Sequence, residues 1–253
     1  MLQITWDNVL IGISLIVAFV ASFTALDNAG RVAVSQGWPA RFWLLVGGTA
    51  MGIGIWAMHF IGMLAMMMPM TMRYDVPLTA GSLLVAILAA MLAFGQTVGG
   101  VHLTRFRLLR GSLILGAGVV VMHYLGMSAL LIEPGPDWNP LLVALSVLIA
   151  FVASALALWL AFHLRQGEQH LLLMRSLASL VMGIAIAGMH YVGMAAARFS
   201  PSSTMQPHGL SNPGLAVWVT LITLLILSVT LLSSMLDAQL RAARLAARLN
   251  RAN

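Results

Sequence analysis

Histidine, methionine and glycine recur at one fixed spacing in three apolar stretches of this chain. The stretches read GIGIWAMHFIGM at 52–63, GAGVVVMHYLGM at 116–127 and GIAIAGMHYVGM at 183–194. Each fits Gly-x5-Met-His-aromatic-x-Gly-Met, and the central residues His59, His123 and His190 are 64 and 67 residues apart. An ionisable side chain inside an apolar helix is costly, so three in the same register indicate a shared function.

Helical geometry places most of each motif on one face. At 3.6 residues per turn, the glycine seven before the histidine, the glycine three after and the methionine four after share the histidine's face. The three stripes are Gly52, His59, Gly62 and Met63; Gly116, His123, Gly126 and Met127; and Gly183, His190, Gly193 and Met194. Small residues on such a stripe let membrane helices approach closely. Met58, Met122 and Met189 precede the histidines and flank the stripes.

Imidazole and thioether together suit copper, and Cu(I) in particular. The chain has no cysteine, and no carboxylate accompanies the histidines, as zinc would normally require. The motifs therefore predict a copper site, holding Cu(I) or Cu(II). In the alternative interpretation the histidines only join helices by hydrogen bonds, and the methionines and glycines only pack.

A second methionine cluster follows the first motif, in the run MLAMMMPMTM at 63–72. We expect Met66, Met67, Met68, Met70 and Met72 to be exposed there and to recruit Cu(I) from the outer compartment. The alternative is an apolar loop that lies on the membrane surface.

The elements that must position these residues are transmembrane helices. Of the 253 residues, 60% are hydrophobic and 8% charged, and the mean hydropathy is +0.96, which is typical of a polytopic membrane protein. Apolar stretches of about the 20 residues that a bilayer requires occur at 8–26, 42–66, 78–98, 111–132, 140–162, 174–196 and 215–236. The predicted fold is all-α, with three pseudo-repeated two-helix hairpins plus a seventh helix.

The distribution of basic residues predicts the orientation. All thirteen basic residues are arginine, and eleven of them fall in the first, third and fifth loops and the C-terminal tail. The positive-inside rule then places the N-terminus outside and the C-terminus in the cytoplasm. Because the arginines lie between apolar runs, the high pI of 11.3 does not indicate nucleic-acid binding.

The last residues differ from the rest of the chain. We divide the chain into a seven-helix domain, 1–236, and a basic amphipathic helix, 237–253. That tail either rests on anionic lipid or begins a linker to a cytoplasmic output domain.

Catalysis by this chain is not predicted, because the sequence has no nucleophile–base pair, phosphate-binding loop or paired carboxylates. The remaining histidines, His102, His163, His170 and His208, lie in polar loops and are interpreted as surface residues.

The triple motif resembles that of the MHYT domain family of bacterial integral-membrane sensors. The resemblance covers residues 5–236 and includes SFTALDNAGR at 22–31. It implies a multi-pass inner-membrane domain that binds copper and senses a diatomic gas, O2, CO or NO. The ligands it implies by position are His59, His123 and His190 with Met58, Met63, Met122, Met127, Met189 and Met194.

The family also implies a partner, since many members feed cytoplasmic GGDEF or EAL domains that make or degrade cyclic di-GMP. A second copy of the chain is a further candidate partner. This sequence departs from the family pattern at Phe60, where tyrosine is usual, and at Ile61, Leu125 and Val192, where threonine is usual. Any role that needs a phenol or hydroxyl at those positions is therefore in doubt.

Two other functions compete with the sensor. The methionine-rich loop suggests copper transport or storage, but the even-numbered helices below the motif are largely Gly, Ala, Ile, Leu and Val. A haem-binding cytochrome is the other, although three equivalent histidines fit a pairwise haem poorly. The number of copper ions, the gas, the oligomeric state and the output domain stay open.

Overall fold

The computed structural model describes residues 3–98, 102–165 and 171–252. Within these ranges it contains seven helices long and apolar enough to cross a membrane. They are α1 (Asn8–Ala33), α2 (Trp38–Ala65), α3 (Val76–Thr97), α4 (Arg105–Ser128), α5 (Pro140–His163), α6 (Leu171–Ala196) and α7 (Asn212–Ala252). The predicted seven-helix fold is confirmed. Several helices extend one or two turns past the predicted ends, because hydropathy marks a helix's apolar part and not its caps.

The first six helices form a closed ring in chain order, with α6 packed against α1. Their even-numbered members, α2, α4 and α6, also meet at the centre, and α7 packs outside the ring against α2. We call the end of the bundle where these three helices finish the motif end, and the end where they begin the arginine end.

Each hairpin is closed at the motif end by the same pair of interactions. The residue that caps the odd helix accepts hydrogen bonds through its side chain from amides of the first turn, which satisfies donors that a helix start leaves free. Its own N–H donates to the last carbonyls of the following even helix at 2.7–2.9 Å. The three pairs are Asp7 with Ala65, Asp75 with Ala129 and Asn139 with Ala196.

The odd-numbered helices α1, α3 and α5 carry a second repeat, which begins at these capping residues and is not among the motifs identified from the sequence. Seven residues after each cap comes a serine, followed by alanines four and seven positions later. The serines are Ser14, Ser82 and Ser146, and all three are buried. This stripe of small residues lets the outer helices lie close against the even helices.

Short antiparallel strand pairs cover the motif end. They are β1 (Thr5–Trp6) with β2 (Met66–Met67), β3 (Arg73–Tyr74) with β8 (Leu210–Ser211), β4 (Ile132–Glu133) with β7 (Thr204–Met205), and β5 (Asp137–Trp138) with β6 (Ala197–Arg198). The loops are thereby tied to one another above the helices.

Helix α7 has 41 residues, about 60 Å at 1.5 Å per residue. Its candidate membrane span is Asn212–Thr230. The domain boundary predicted at 236 falls inside this continuous helix. The amphipathic character predicted for 237–253 concerns side chains that lie almost entirely outside the described residues.

Candidate metal centre

The three motif histidines meet at the centre of the helix ring. His59 on α2, His123 on α4 and His190 on α6 are each fully buried. Their Nδ1 atoms form a triangle, 3.1 Å from His59 to His123, 3.0 Å from His59 to His190 and 3.4 Å from His123 to His190. Among the described residues these three form a group that could hold a metal ion, so the convergence expected from the sequence is confirmed.

Each imidazole turns its other nitrogen toward the neighbouring even helix. There Nε2 lies against the glycine three positions after that helix's own histidine, where an added Cβ would overlap it. The pairs are His59 with Gly126, His123 with Gly193, and His190 with Gly62. The relation runs in one direction around the axis, so each motif supplies both an imidazole and the glycine recess for the imidazole of the previous motif.

The hydrogen-bonding capacity of the three histidines is only partly satisfied by the protein. A neutral imidazole carries one N–H and one lone pair, and each Nδ1 has one in-plane position, so three converging Nδ1 atoms cannot all bond to one another. None of the three buried Nε2 atoms has a hydrogen-bond partner either. An unsatisfied buried polar group costs about 1–3 kcal/mol.

A single ion fits these separations. Three nitrogens bound to one metal at about 2.0 Å lie at most about 3.5 Å from one another. The observed 3.0–3.4 Å agree with such a set. The fit has one gap, because metal-bound histidines usually donate their other N–H to an acceptor, whereas here Nε2 faces a glycine.

The six motif methionines are buried with the histidines. None is more than 4% exposed, and all belong to the same apolar core. Helix register puts Met63, Met127 and Met194 one turn from the histidines toward the motif end. Their role as ligands stays a prediction.

In each stripe, the glycine seven residues before the histidine lies against a different helix from the glycine three residues after the histidine. Gly52 lies against the backbone of Ile87 on α3, and Gly183 against the backbone of Phe19 on α1. Gly116 meets the ring of Phe151 on α5. The predicted close packing at these glycines is therefore between even helices and the outer helices, away from the histidines.

Hydroxyl pairs join two of the motif aromatics to the outer helices. The phenol of Tyr124 lies 2.6 Å from Ser146 Oγ, and that of Tyr191 lies 2.8 Å from Ser14 Oγ. Phe60 has no hydroxyl, and Ser82 instead accepts a hydrogen bond of 3.1 Å from Trp56 Nε1. The indole N–H of Trp56 thus makes the contact between α2 and α3 that Phe60, which has no hydroxyl, cannot make.

The methionine-rich loop is less exposed than the sequence suggested. Met66 and Met72 are buried, and Met68 and Met70 are partly buried against the core. Only Met67, at 46% exposed, fits the expectation of an exposed cluster, because the strand pairing and packing of the loop turn the others inward. Recruitment of Cu(I) by this loop stays a prediction.

A charged cluster joins the first and third hairpins at the arginine end. Asp27 on α1 pairs with Arg31 one turn later at 3.0 Å and with Arg175 on α6 at 3.2 Å. Asp27 and Arg31 both lie within SFTALDNAGR, but nothing local in the sequence links them to Arg175, because the positions are so far apart. His102, His163 and His208 are exposed as predicted, and His170 lies outside the described residues.

Comparisons with known proteins agree with the triple motif. The chain matches the MHYT family model, described as a bacterial signalling protein N-terminal repeat, at residues 52–111, 116–174 and 183–247. It is 48% identical, over its whole length, to the bifunctional diguanylate cyclase/cyclic di-GMP phosphodiesterase MucR of Pseudomonas aeruginosa. It is 36% identical over 93% of its length to the signaling protein YkoW of Bacillus subtilis. It is 40% identical over 76% of its length to the cyclic di-GMP phosphodiesterase NbdA of Pseudomonas aeruginosa.

The chain spans only part of these relatives, namely 37% of MucR, 30% of YkoW and 24% of NbdA. The aligned part is the repeat region, and the catalytic domains of the relatives lie outside it. No solved structure matches the chain.

Proposed function

We propose a function from one established premise: this chain belongs to the MHYT family of bacterial signalling proteins. It is a multi-pass membrane sensor domain of the kind found in proteins linked to cyclic di-GMP turnover. We infer that it holds copper at the histidine cluster and reports a diatomic gas, O2, CO or NO, or the redox state of the metal.

The observation that carries the proposal is the convergence of three buried Nδ1 atoms within 3.4 Å. Such a group attracts a cation, and the surrounding thioethers, which are soft ligands, favour copper and Cu(I) in particular. The same separations argue against haem, because no porphyrin plane can pass between imidazole nitrogens this close.

The chain's own residues hold and shield the site. Gly62, Gly126 and Gly193 admit the imidazoles and fix which nitrogen faces the axis. The buried methionines exclude water and offer soft sulfur ligands. Bound copper would supply a position at which a neutral diatomic ligand or a one-electron change alters the site.

The output of the sensor runs through α2 and α7 in this proposal. His59 lies on α2, against which α7 packs, so a shift of α2 displaces the helix that leaves the bundle. With the N-terminus outside and the C-terminus in the cytoplasm of the inner membrane, α7 delivers that displacement to a GGDEF or EAL domain, in cis or in trans. The basic tail then lies at anionic lipid, and a second copy of the chain is a candidate partner through α7.

Copper transport has weaker support. On the arginine-end side of the histidine cluster the wall of a small cavity holds Ile55, Val119 and Ile186, and its single thioether from outside the motifs is that of Met51, so the wall does not offer a moving ion a continuous row of ligands. We expect no copper flux in a vesicle uptake assay.

Metal analysis with an absorption spectrum on detergent-purified protein tests the proposal. We expect copper in the native protein, and none after His59, His123 and His190 are all replaced by alanine, while both proteins elute as monodisperse species. His163→Ala, at an exposed histidine of α5, is the matched control and should keep its copper.

Two outcomes would reject the copper site. One is a native protein that takes up no transition metal even after loading with Cu(I). The other is stoichiometric copper in the triple variant.

A further inference from the structure

Each motif aromatic lies between a histidine of the cluster and a second aromatic residue at the motif end. The first two rings of each row meet edge to face, with centroids 4.7–4.8 Å apart. The second and third rings do the same at 5.3–6.3 Å, and the third directly precedes the capping residue of an odd-numbered helix. The three rows are His59–Phe60–Tyr74, His123–Tyr124–Trp138 and His190–Tyr191–Trp6.

Hydrogen bonds fix the middle ring of two rows but not of the third. The hydroxyls of Tyr124 and Tyr191 bond to serines of α5 and α1. Phe60 has no hydroxyl, and Trp56, one turn earlier, donates to the serine of α3 in its place. The next ring of this row is equally free, because the buried phenol oxygen of Tyr74 has no hydrogen-bond partner among the described residues. Packing alone therefore holds the side chains of Phe60 and Tyr74.

The row that hydrogen bonds leave free is also the one that α7 covers. Trp6 and Trp138 end their rows at the surface, at 36% and 38% exposed, whereas Tyr74 is fully buried. Tyr74 belongs to β3, which pairs with β8, and Asn212, the first residue of α7, follows β8 directly. Helix α7 packs against both strands. A displacement of the Tyr74 ring therefore acts on the start of α7.

The junction of β3, β8 and α7 is tightly packed, yet its buried polar side chains are unsatisfied. Gly209 has φ +94°, and a Cβ there would lie 2.7 Å from the carbonyl oxygen of Tyr74, so only glycine allows this approach without strain. The side-chain oxygen of Asn212 is buried and, like the phenol of Tyr74, lacks a partner in the part of the chain that the structure describes. A buried polar atom without a partner destabilises the arrangement that holds it, which favours a second arrangement of this junction.

We propose that Tyr74 couples the histidine cluster to α7 at the motif end. Phe60 moves with His59 when the cluster binds its metal, and Tyr74 passes the displacement through β3 and β8 to the first turn of α7. Coupling between sites travels through packed side chains that have two arrangements, and in this row no side-chain hydrogen bond opposes the movement. A cluster with three equivalent histidines thereby acts on a single output helix. The inference rests on the proposed function for the metal and for the role of α7.

A fluorine label on α7 measures this coupling. The chain has no cysteine, so Ser228→Cys, at an exposed position of α7, carries a single trifluoromethyl tag about 24 Å along the helix from Asn212. Cu(I) is diamagnetic, so a change in the ¹⁹F chemical shift on loading reports a change of conformation. We expect such a change in detergent-purified protein. A protein that binds Cu(I) with no change in the ¹⁹F chemical shift would overturn the proposal.

Variants of Tyr74 separate this route from the direct packing of α7 on α2. In Tyr74→Ala we expect the copper-induced change in ¹⁹F chemical shift to fall several-fold while copper stays bound. Tyr74→Phe keeps the ring and should keep the change. Trp138→Ala removes the equivalent ring of an exposed row and is the matched control. A full change in Tyr74→Ala, or an equal loss in Trp138→Ala, would show that Tyr74 is not the coupling residue.

A metal-free arm makes the test independent of the copper site. Phe60→Leu removes the ring beside His59, and Tyr124→Leu removes the equivalent ring beside His123. Without metal, the first variant should shift the ¹⁹F signal of the label several-fold more than the second, and it should have no such effect once Tyr74 is replaced by alanine. Equal shifts in the two single variants would reject the coupling even if copper binds. The expected difference in a protein that takes up no copper would reject the copper site and leave the coupling intact.

Discussion

Replacement of Gly193 by alanine should weaken copper binding strongly, although the variant changes none of the proposed ligands. Gly193 lies on α6 and forms the recess for the imidazole of His123 on α4. A Cβ there would lie 3.0 Å from both Cδ2 and Cε1 of that imidazole, and closer still to Nε2. Carbon atoms in ordinary contact are about 3.5–4.0 Å apart, so the imidazole must retreat by at least about 0.5 Å.

The magnitude follows from the tolerance of metal sites. Ligand distances are held to within about 0.2 Å, and changes to residues that only orient a ligand typically cost 10–100-fold in affinity. A displacement of about 0.5 Å or more exceeds that tolerance, so we expect Cu(I) affinity to fall by about 100-fold or more. The overpacking itself should cost about 1–3 kcal/mol of stability.

Competition with a chromophoric Cu(I) chelator measures the affinity, and Gly188→Ala is the matched control. Gly188 lies on the same helix, five residues earlier, and a Cβ there would meet nothing within 4 Å. That variant should bind copper normally. If Gly193→Ala keeps native affinity while folded, the recess does not position His123 and our account of the cluster is wrong.

Three further predictions concern stability. Asp27→Asn removes the ion pairs with Arg31 and Arg175 and should lower the free energy of unfolding by about 1 kcal/mol without changing copper affinity; an altered affinity in a chelator titration would contradict this. Tyr124→Phe loses the bond to Ser146 and should cost about 1 kcal/mol or less, because that serine still donates to a backbone carbonyl; a larger loss of thermal stability would refute it. Burial raises the pKa of Tyr74 above its ordinary value, so the unfolded chain releases this proton first and stability should fall as pH rises above about 10. Tyr74→Phe should flatten that fall in melting curves between pH 9 and 11, and an identical slope in both proteins would contradict the assignment.

Much of this fold could be predicted from sequence because its signals are local. Hydropathy identified all seven spans, and the 3.6-residue period placed His59, His123 and His190 on equivalent faces. The repeat also predicted that the three would meet, since equivalent helices of equivalent hairpins bring equivalent positions to one axis. A second signal was available but missed, namely the Asp or Asn that precedes a serine by seven residues in α1, α3 and α5.

Other features of the site depend on which helix faces which, and no local pattern contains that information. Nothing in the sequence indicates that Nδ1 faces the axis while each Nε2 lies against the next motif's glycine. The sequence also did not distinguish the glycines beside imidazoles from Gly52, Gly116 and Gly183, which serve the outer helices. The inward turn of Met66 and Met72 and the pairing of Arg175 with Asp27 likewise required the packed structure.

Sequence by itself therefore determined the helices, their repeat and the chemical character of the centre, because each depends on residues within a few turns of one another. Tertiary structure alone decided the direction of each imidazole, the recess that holds it and the cavity beneath it. Those depend on distances between side chains of different helices, and a change of a few tenths of an ångström separates a metal site from a packed apolar core.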